Sequence, residues 1–199
     1  MQDIISNLKS RRFEASYFTD RHEAISYVLE LIPEGVTCGT GGSVTLKELD
    51  ILPKLADKGV TVYNRELVSS DMVPTLNEYS RTADWFITSA NAITRDGQIV
   101  NIDGRANRVG ALIDGPQNIV IVAGTNKITS DIESAIERIR NIAAPPNAVR
   151  LGLNTPCRTD GVCSYCDSPE CMCNVTAILH HPTRGKKVYL VIIDEKLGY

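Results

Sequence analysis

The run Asn118-Ile119-Val120-Ile121-Val122-Ala123 restricts the fold more than any other stretch. Its five consecutive apolar residues do not alternate with polar ones, so a strand here has to be covered on both faces. Such a strand belongs in the middle of a mostly parallel sheet with helices on either side. The flanking sequence supplies both element types. Val36-Thr37-Cys38, Val60-Thr61-Val62-Tyr63, Trp85-Phe86-Ile87-Thr88 and Val188-Tyr189-Leu190-Val191-Ile192-Ile193 read as short buried strands, and Phe13, Ala15 and Tyr17 alternate as in another.

Helical patterns fall between these strands. Ile4, Ile5 and Leu8 share one face of a short N-terminal helix. Asp20 followed by Glu23 reads as a capping box for a helix carrying Ala24, Ile25, Val28, Leu29 and Ile32, with His22 as a solvated first-turn residue. VTLKELDILPKLADKG reads as one helix, and further helices are expected around Leu76–Arg81 and Val109–Ile113. Ser130 and Glu133 suggest a capping box for a helix over Asp131–Arg140, and Pro145-Pro146 is expected to break the pattern. Strands alternating with helices predict a three-layer α/β fold with a mostly parallel sheet. At 199 residues the chain is expected to form a single domain over 1–199.

Composition narrows the function. With 43% hydrophobic and 23% charged residues and a net charge of −3, the chain has no electrostatic pull toward nucleic acid or an anionic membrane. Lys186-Lys187 is too short for a basic patch. MQDIISNLKSRR has no apolar signal core and no window approaches about 20 apolar residues, so a cytoplasmic protein without membrane insertion is expected.

Three polar stretches are candidate parts of a site. Gly39-Thr40-Gly41-Gly42-Ser43 joins a strand to a helix. Backbone N–H groups converging there would favour an anion, with Ser43 and Thr45 adding hydroxyls; the alternative is a tight turn with no ligand. It matches neither a Walker A loop nor a dinucleotide fingerprint, so no nucleotide cofactor is expected. Cys38 beside it is read as a small buried hydrophobe or as a thiol at the site.

The second stretch, Ile87 to Val109, concentrates Asn91, Asp96, Asn101, Asp103, Asn107 and Arg108. Asp96-Gly97 between Ala92–Thr94 and Gln98–Ile102 predicts a hairpin at the sheet rim. Its polar groups form a ligand-facing rim, or else only satisfy turn geometry. Arg108 suits a bidentate clamp on a carboxylate or phosphate, or a surface ion pair. The third is Gly124-Thr125-Asn126-Lys127, which follows the central strand at the end where open α/β sheets bind ligands. Lys127 is therefore a candidate for neutralising a small anionic molecule. No nucleophile or base is forced by the pattern, although Asp103 or Glu48 could act as a base if buried.

Five of the six cysteines crowd into a Cys-rich loop, 156–174, placed before the last strand with the spacing C-x5-C-x2-C-x4-C-x-C. Four thiolates can hold zinc at about 2.3 Å per bond, or an iron–sulfur cluster. Free thiols and disulfides remain the alternatives. The neighbouring His180 and His181 would point to opposite sides of an extended segment, so at most one would join a metal site.

SANAIT-x-DG-x-IVNIDG-x-x-NRV resembles the signature of the LUD-domain family, the lactate utilization proteins of the protein C type. GTGGSVTLKEL, GTNKI, AAPPNAVRL and the closing Glu-x-Leu-Gly-Tyr match in the same order, so the resemblance runs from about Val36 onward. It implies a fold akin to the ribose-phosphate isomerase, glucosamine-phosphate deaminase and coenzyme A transferase group. It further implies an anionic ligand such as a carboxylate, a phosphate or a coenzyme A moiety at Gly39, Gly41, Gly42 and Ser43, and association with lactate oxidation. The resemblance also favours Cys157, Cys163, Cys166 and Cys173 as the metal set, with Cys171 as the departure. Redox protein partners or a homo-oligomer would follow. The runner-up function is an iron–sulfur electron-transfer or zinc-stabilised interaction module without catalysis of its own.

Overall fold

The computed structural model describes residues 1–69 and 71–199, with Glu66 described by its backbone alone. In chain order it contains α1 (Gln2–Ser10), β1 (Glu14–Phe18), α2 (Arg21–Leu31), β2 (Thr37–Thr40), α3 (Val44–Glu48), α4 (Ile51–Asp57) and β3 (Thr61–Tyr63). Next come α5 (Val73–Thr82), β4 (Trp85–Thr88), β5 (Ala92–Thr94), β6 (Ile99–Asp103), α6 (Asn107–Asp114) and β7 (Asn118–Gly124). The remainder is β8 (Ile128–Thr129), α7 (Ile132–Arg138), α8 (Ala144–Leu151), α9 (Pro156–Asp160), β9 (Val175–Leu179) and β10 (Lys187–Ile193).

Six strands form one parallel sheet in the order β1-β10-β7-β4-β2-β3. The apolar run that opened the sequence reading is β7, an interior strand, and its alternate residues serve opposite faces. Ile119 and Ile121 enter the core shared with Ile4 and Leu8 of α1 and Ala111 and Leu112 of α6. Val120 and Val122 enter the core shared with Ala24 and Val28 of α2 and Leu55 of α4. This is the three-layer α/β architecture that the apolar run predicts.

The Asp-Gly hairpin forms as expected, with Ala92 opposite Val100 and Gly97 at positive φ. It is not an appendage of the main sheet. It forms the middle of a second sheet, β8-β5-β6-β9, whose Ile93 and Ile99 face the α1/α6 core while Ala92 and Val100 pack under α7.

Other boundaries depart from the sequence reading. The segment VTLKELDILPKLADKG is two helices, because Asp50 takes a left-handed conformation between α3 and α4 (φ 53°). Asp131, and not Ser130, caps α7 by accepting the Ser134 N–H. The expected break at Pro145-Pro146 does not occur: a π-helical segment, Ile139–Ala143, leads directly into α8, and both prolines sit in its first turn. The helix is continuous there, and the change of register that admits the prolines is the π-helical turn just ahead of them, where the Ala144 N–H bonds to the Ile139 carbonyl. The Cys-rich segment begins as a short helix, α9, and is separated from the last strand by β9, which the sequence reading missed.

Candidate functional site

The carboxyl ends of β2, β4 and β7 deliver the GTGGS loop, Ser89 and Lys127 to one edge of the main sheet. The second sheet delivers Asp103 to the same place from β6. Between them lies a cavity of about 970 Å³ whose wall includes Gly42, Ser43, Thr45, Ser89, Asn91, Asp103, Asn107, Arg108 and Lys127. Cys171 and Cys173 of the Cys-rich loop also line it, as does Tyr199. Its ionisable lining is unbalanced, with Lys47, Arg65, Arg105, Arg108, Lys127 and Arg150 against Asp103 and Glu170. In a chain of net charge −3, this concentrates positive potential where a concave, low-dielectric wall focuses it.

The glycine loop is held by close packing. A Cβ on Gly39 would overlap the backbone of Ser80, and one on Gly42 would overlap the Arg65 guanidinium. A Cβ on Gly41 would come within 2.9 Å of Thr88 Oγ1 and 3.0 Å of Arg108 Cγ. Gly42 and Ser43 reach the large cavity. Gly41 lines instead a smaller one of about 230 Å³ on the other side of the loop, and Gly39 lies within the sheet. Ser43 Oγ accepts the Leu46 N–H as the cap of α3. With only five residues, α3 adds little dipole potential at the loop, and the positive potential there comes mainly from side-chain cations.

The polar rim is an interlocked network. Asn91 Oδ1 accepts the Ile102 N–H at 2.9 Å, and Asn101 Oδ1 accepts the Asn91 N–H at 3.0 Å. Asn101 is fully buried and braces this corner from behind. Arg108 is buried and donates through Nε and Nη2 to Asp103 Oδ1 at 3.0 and 2.5 Å, through Nη2 to Asn91 Oδ1 at 2.6 Å, and through Nη1 to the Ser89 carbonyl at 3.3 Å. The other Asp103 oxygen accepts the Val109 N–H at 2.9 Å, which pins the start of α6 to β6. Asn91 and Asp103 fix turn geometry, and both also line the cavity. Arg108 lines it through an internal ion pair rather than at the surface. Of Asn107 the structure shows a half-buried position on the cavity wall.

Lys127 sits in the short 3-10 turn following β7 and is 4% exposed. Its Nζ lies 2.9 Å from Thr45 Oγ1 and 2.8 Å from Ser89 Oγ. Burial, then the positive charges of Arg138 and Arg108, pull its pKa down to about 7, against a weaker opposing pull from Glu48. Leu197 and Gly198 cross over this point. The Leu197 carbonyl accepts from Thr45 Oγ1 at 3.3 Å, and the Gly198 N–H donates to Glu48 at 2.7 Å.

Ser89 and Arg65 are site residues that the sequence reading did not single out. Ser89 was findable, since it directly follows a buried strand at the ligand-binding end. Arg65 had no signal, because only the folded chain brings it over Gly42. Cys38 is a buried hydrophobe of the core, its thiol pushed up to about 12 by burial.

Among the Cys-rich residues, Cys173 is half-buried and its thiol is pushed up to about 12, first by burial and then by Cys171, with Cys163 and Cys157 adding to the effect and Arg140 opposing it. Two backbone N–H groups point at sulfur, Cys173 N–H to Cys171 Sγ and Tyr165 N–H to Cys163 Sγ, each at 3.4 Å. Arg140 donates to Cys163 Sγ at 3.7 Å. Among the described residues no group of three or more His, Cys, Asp or Glu side chains is drawn together tightly enough to hold a metal ion. His180 and His181 are engaged elsewhere, with Gln98 and with the Arg11 carbonyl.

The fold and site together define an α/β protein whose parallel sheet opens, at its carboxyl edge, onto a cationic cavity roofed by a second small sheet. The chain belongs to the LUD domain family, a family related to lactate utilization, whose model matches residues 1–193. Among curated proteins none matches the sequence. Among solved structures it is similar to a DUF162 family protein from Deinococcus radiodurans, with 12% identity over 96% of this chain and 94% of that one and a TM-score of 0.54. At that identity the likeness concerns the fold. Ribose 5-phosphate isomerase A from Neisseria gonorrhoeae aligns over 58% of this chain and 57% of its own at 14% identity and a TM-score of 0.38. The Methanocaldococcus jannaschii isomerase aligns over 66% and 62% at 13% identity and a TM-score of 0.36. No helix among the described residues is long and apolar enough to cross a membrane.

Proposed function

We propose that the protein binds a small anionic molecule, a carboxylate, a phosphate or a coenzyme A moiety, in the 970 Å³ cavity, as part of a lactate-oxidising redox assembly. The observation that carries this reading is the surplus of basic over acidic side chains on a concave wall of a chain that is acidic overall. Gly42, Ser43 and Thr45 supply one side, with Gly39 and Gly41 setting the loop's path. Asn91, Asn107 and Lys127 meet the ligand from the other side, while Asn101, Asp103 and Arg108 hold that side in register. Titration calorimetry with lactate, pyruvate, inorganic phosphate and coenzyme A tests it. At least one should bind, and Arg65→Ala or Arg105→Ala should weaken that binding about tenfold, as expected for loss of one charge-assisted contact. No binding of any of the four at millimolar concentration would sink the reading.

A second reading concerns the Cys-rich loop, and it is favoured by Cys171 and Cys173 lining the same cavity. An all-cysteine donor set is soft and suits zinc or an iron–sulfur cluster. The resemblance favours Cys157, Cys163, Cys166 and Cys173 as ligands, and the segment would have to close around the metal to bind it. A cluster here would supply one-electron transfer beside the bound anion; zinc would brace the cavity wall without redox chemistry. Iron, zinc and acid-labile sulfide are to be measured on protein purified without oxygen. Iron with sulfide, or zinc alone, lost in Cys163→Ser, supports one or the other form. Neither metal, with five reactive thiols, counts against both.

A further inference from the structure

We propose that Lys127 is a nucleophilic amine that forms an imine with a small aldehyde or ketone bearing a carboxylate or phosphate, the anionic group being held by the cationic wall of the same cavity. This rests on the anion-binding reading above and names the substrate class and the reacting atom.

Lys127 differs from the other cavity cations in its partners. Both groups that its Nζ touches, Thr45 Oγ1 at 2.9 Å and Ser89 Oγ at 2.8 Å, are neutral hydroxyls. Thr45 Oγ1 accepts from Nζ while giving its own proton to the Leu197 carbonyl, and the Ser89 hydroxyl, whose other contacts are at 3.4 Å, can turn its proton to the lone pair of an unprotonated amine. Among the ion pairs of the described residues, none involves Lys127. A lysine buried without a paired carboxylate is poorly held as an ammonium. The charged groups acting on it are two guanidiniums, Arg138 and Arg108, and one more weakly acting carboxylate, Glu48. Such surroundings weaken a lysine that acts by charge alone and favour one that attacks a carbonyl as the free amine.

The placement suits the chemistry. Lys127 follows the central strand, its amine is held by Thr45 from α3 and by Ser89 after β4, and it lines the cavity with Arg65, Arg105 and Lys47. A ligand whose anionic group meets those cations can turn a carbonyl carbon toward Nζ. The Nζ lone pair then bonds to that carbon as the C=O π bond opens onto oxygen. Both amine protons end on that oxygen, relayed through the Ser89 and Thr45 hydroxyls, and water leaves. A C=N bond remains, and no oxidant or reductant is consumed.

The test uses the intact protein at pH 7 with sodium cyanoborohydride and either glyoxylate or glyceraldehyde 3-phosphate, followed by peptide mass mapping. The reduced adduct is expected at Lys127 at least about tenfold faster than at the exposed Lys9 and Lys187, given the larger unprotonated fraction of the buried amine. Ser89→Ala should slow Lys127 severalfold while leaving Lys9 unchanged. Labelling of Lys127 no faster than Lys9 or Lys187 overturns the proposal. Equal rates with uncharged propanal overturn the anionic substrate class. Calorimetry with lactate, pyruvate, inorganic phosphate and coenzyme A on the same sample separates the two levels: binding of any one of them confines a failure to the imine, and binding of none removes the anion reading as well.

Discussion

Lys127 and Asp103 carry opposite kinds of cost at the same cavity. The folded-state pKa of Lys127 lies below its unfolded value, so across the interval from about 7 to 10.5 the unfolded chain binds the extra proton. Its destabilising contribution is therefore full below about pH 7 and vanishes as the pH approaches 10.5. Lys127→Met is expected to raise stability at pH 7 by about 1 kcal/mol, with a gain that shrinks toward pH 10, measured by urea denaturation across that range. Asp103 is the reverse case. Its carboxylate carries the buried Arg108 guanidinium and the Val109 N–H together, so Asp103→Ala should cost about 3–5 kcal/mol by leaving a buried charge unpaired. A variant within about 1 kcal/mol of wild type would mean that Arg108 finds water there. The sequence marked Asp103 as part of a polar stretch at the sheet rim and Lys127 as a cation at the carboxyl end of the central strand. It could not say that Asp103 and Arg108 spend their charges on each other, because that depends on the turn through Gly104-Arg105-Ala106, where Ala106 adopts a positive φ of 55°.

Among the elements, β7, β4 and β10 were readable because continuous apolar runs leave a strand one environment, and α2 because Asp20 caps it by accepting the His22 N–H. The failures share a cause, which is local geometry overriding a pattern that both alternatives satisfy. The apolar positions of VTLKELDILPKLADKG fit one helix or two, and Asp50 decides between them only through its left-handed backbone. Pro145-Pro146 is compatible with a stop or with a start, and the preceding π-helical segment makes it a start. β9 went unseen because its exposed outer residues dilute the strand signal beside the cysteines. One glycine governs how two elements meet: with no Cβ, Gly39 lets β2 lie against the Ser80 backbone at the end of α5. Gly39→Ala should push α5 off the sheet and cost about 1–3 kcal/mol, read from the thermal midpoint. An unchanged midpoint would show that α5 is only loosely docked.

At the scale of the whole molecule, the fold class and the gathering of the GTGGS, SANAIT and GTNK segments at one sheet edge were legible, since each lies near a strand end in the order that an alternating α/β chain dictates. The second sheet was not, because β8 is two residues long and β9 reaches β6 from far along the chain. The two sheets are separate hydrogen-bonded systems, and the cavity is the seam between them. A ligand there contacts residues delivered by both, so its binding energy opposes any motion that parts them. Backbone amides of β6 and β9, far from the anion itself, should therefore exchange their hydrogens for deuterium more slowly when the cavity is filled, and those inside β7 should hardly change. A slowing confined to residues 40–45 would mean that the roof moves independently of its floor. With β6 and β9 slowed, the small sheet behaves as a door whose latch is the occupant, which makes exchange of its amides a way to detect a natural ligand in a crude metabolite extract before its chemistry is known.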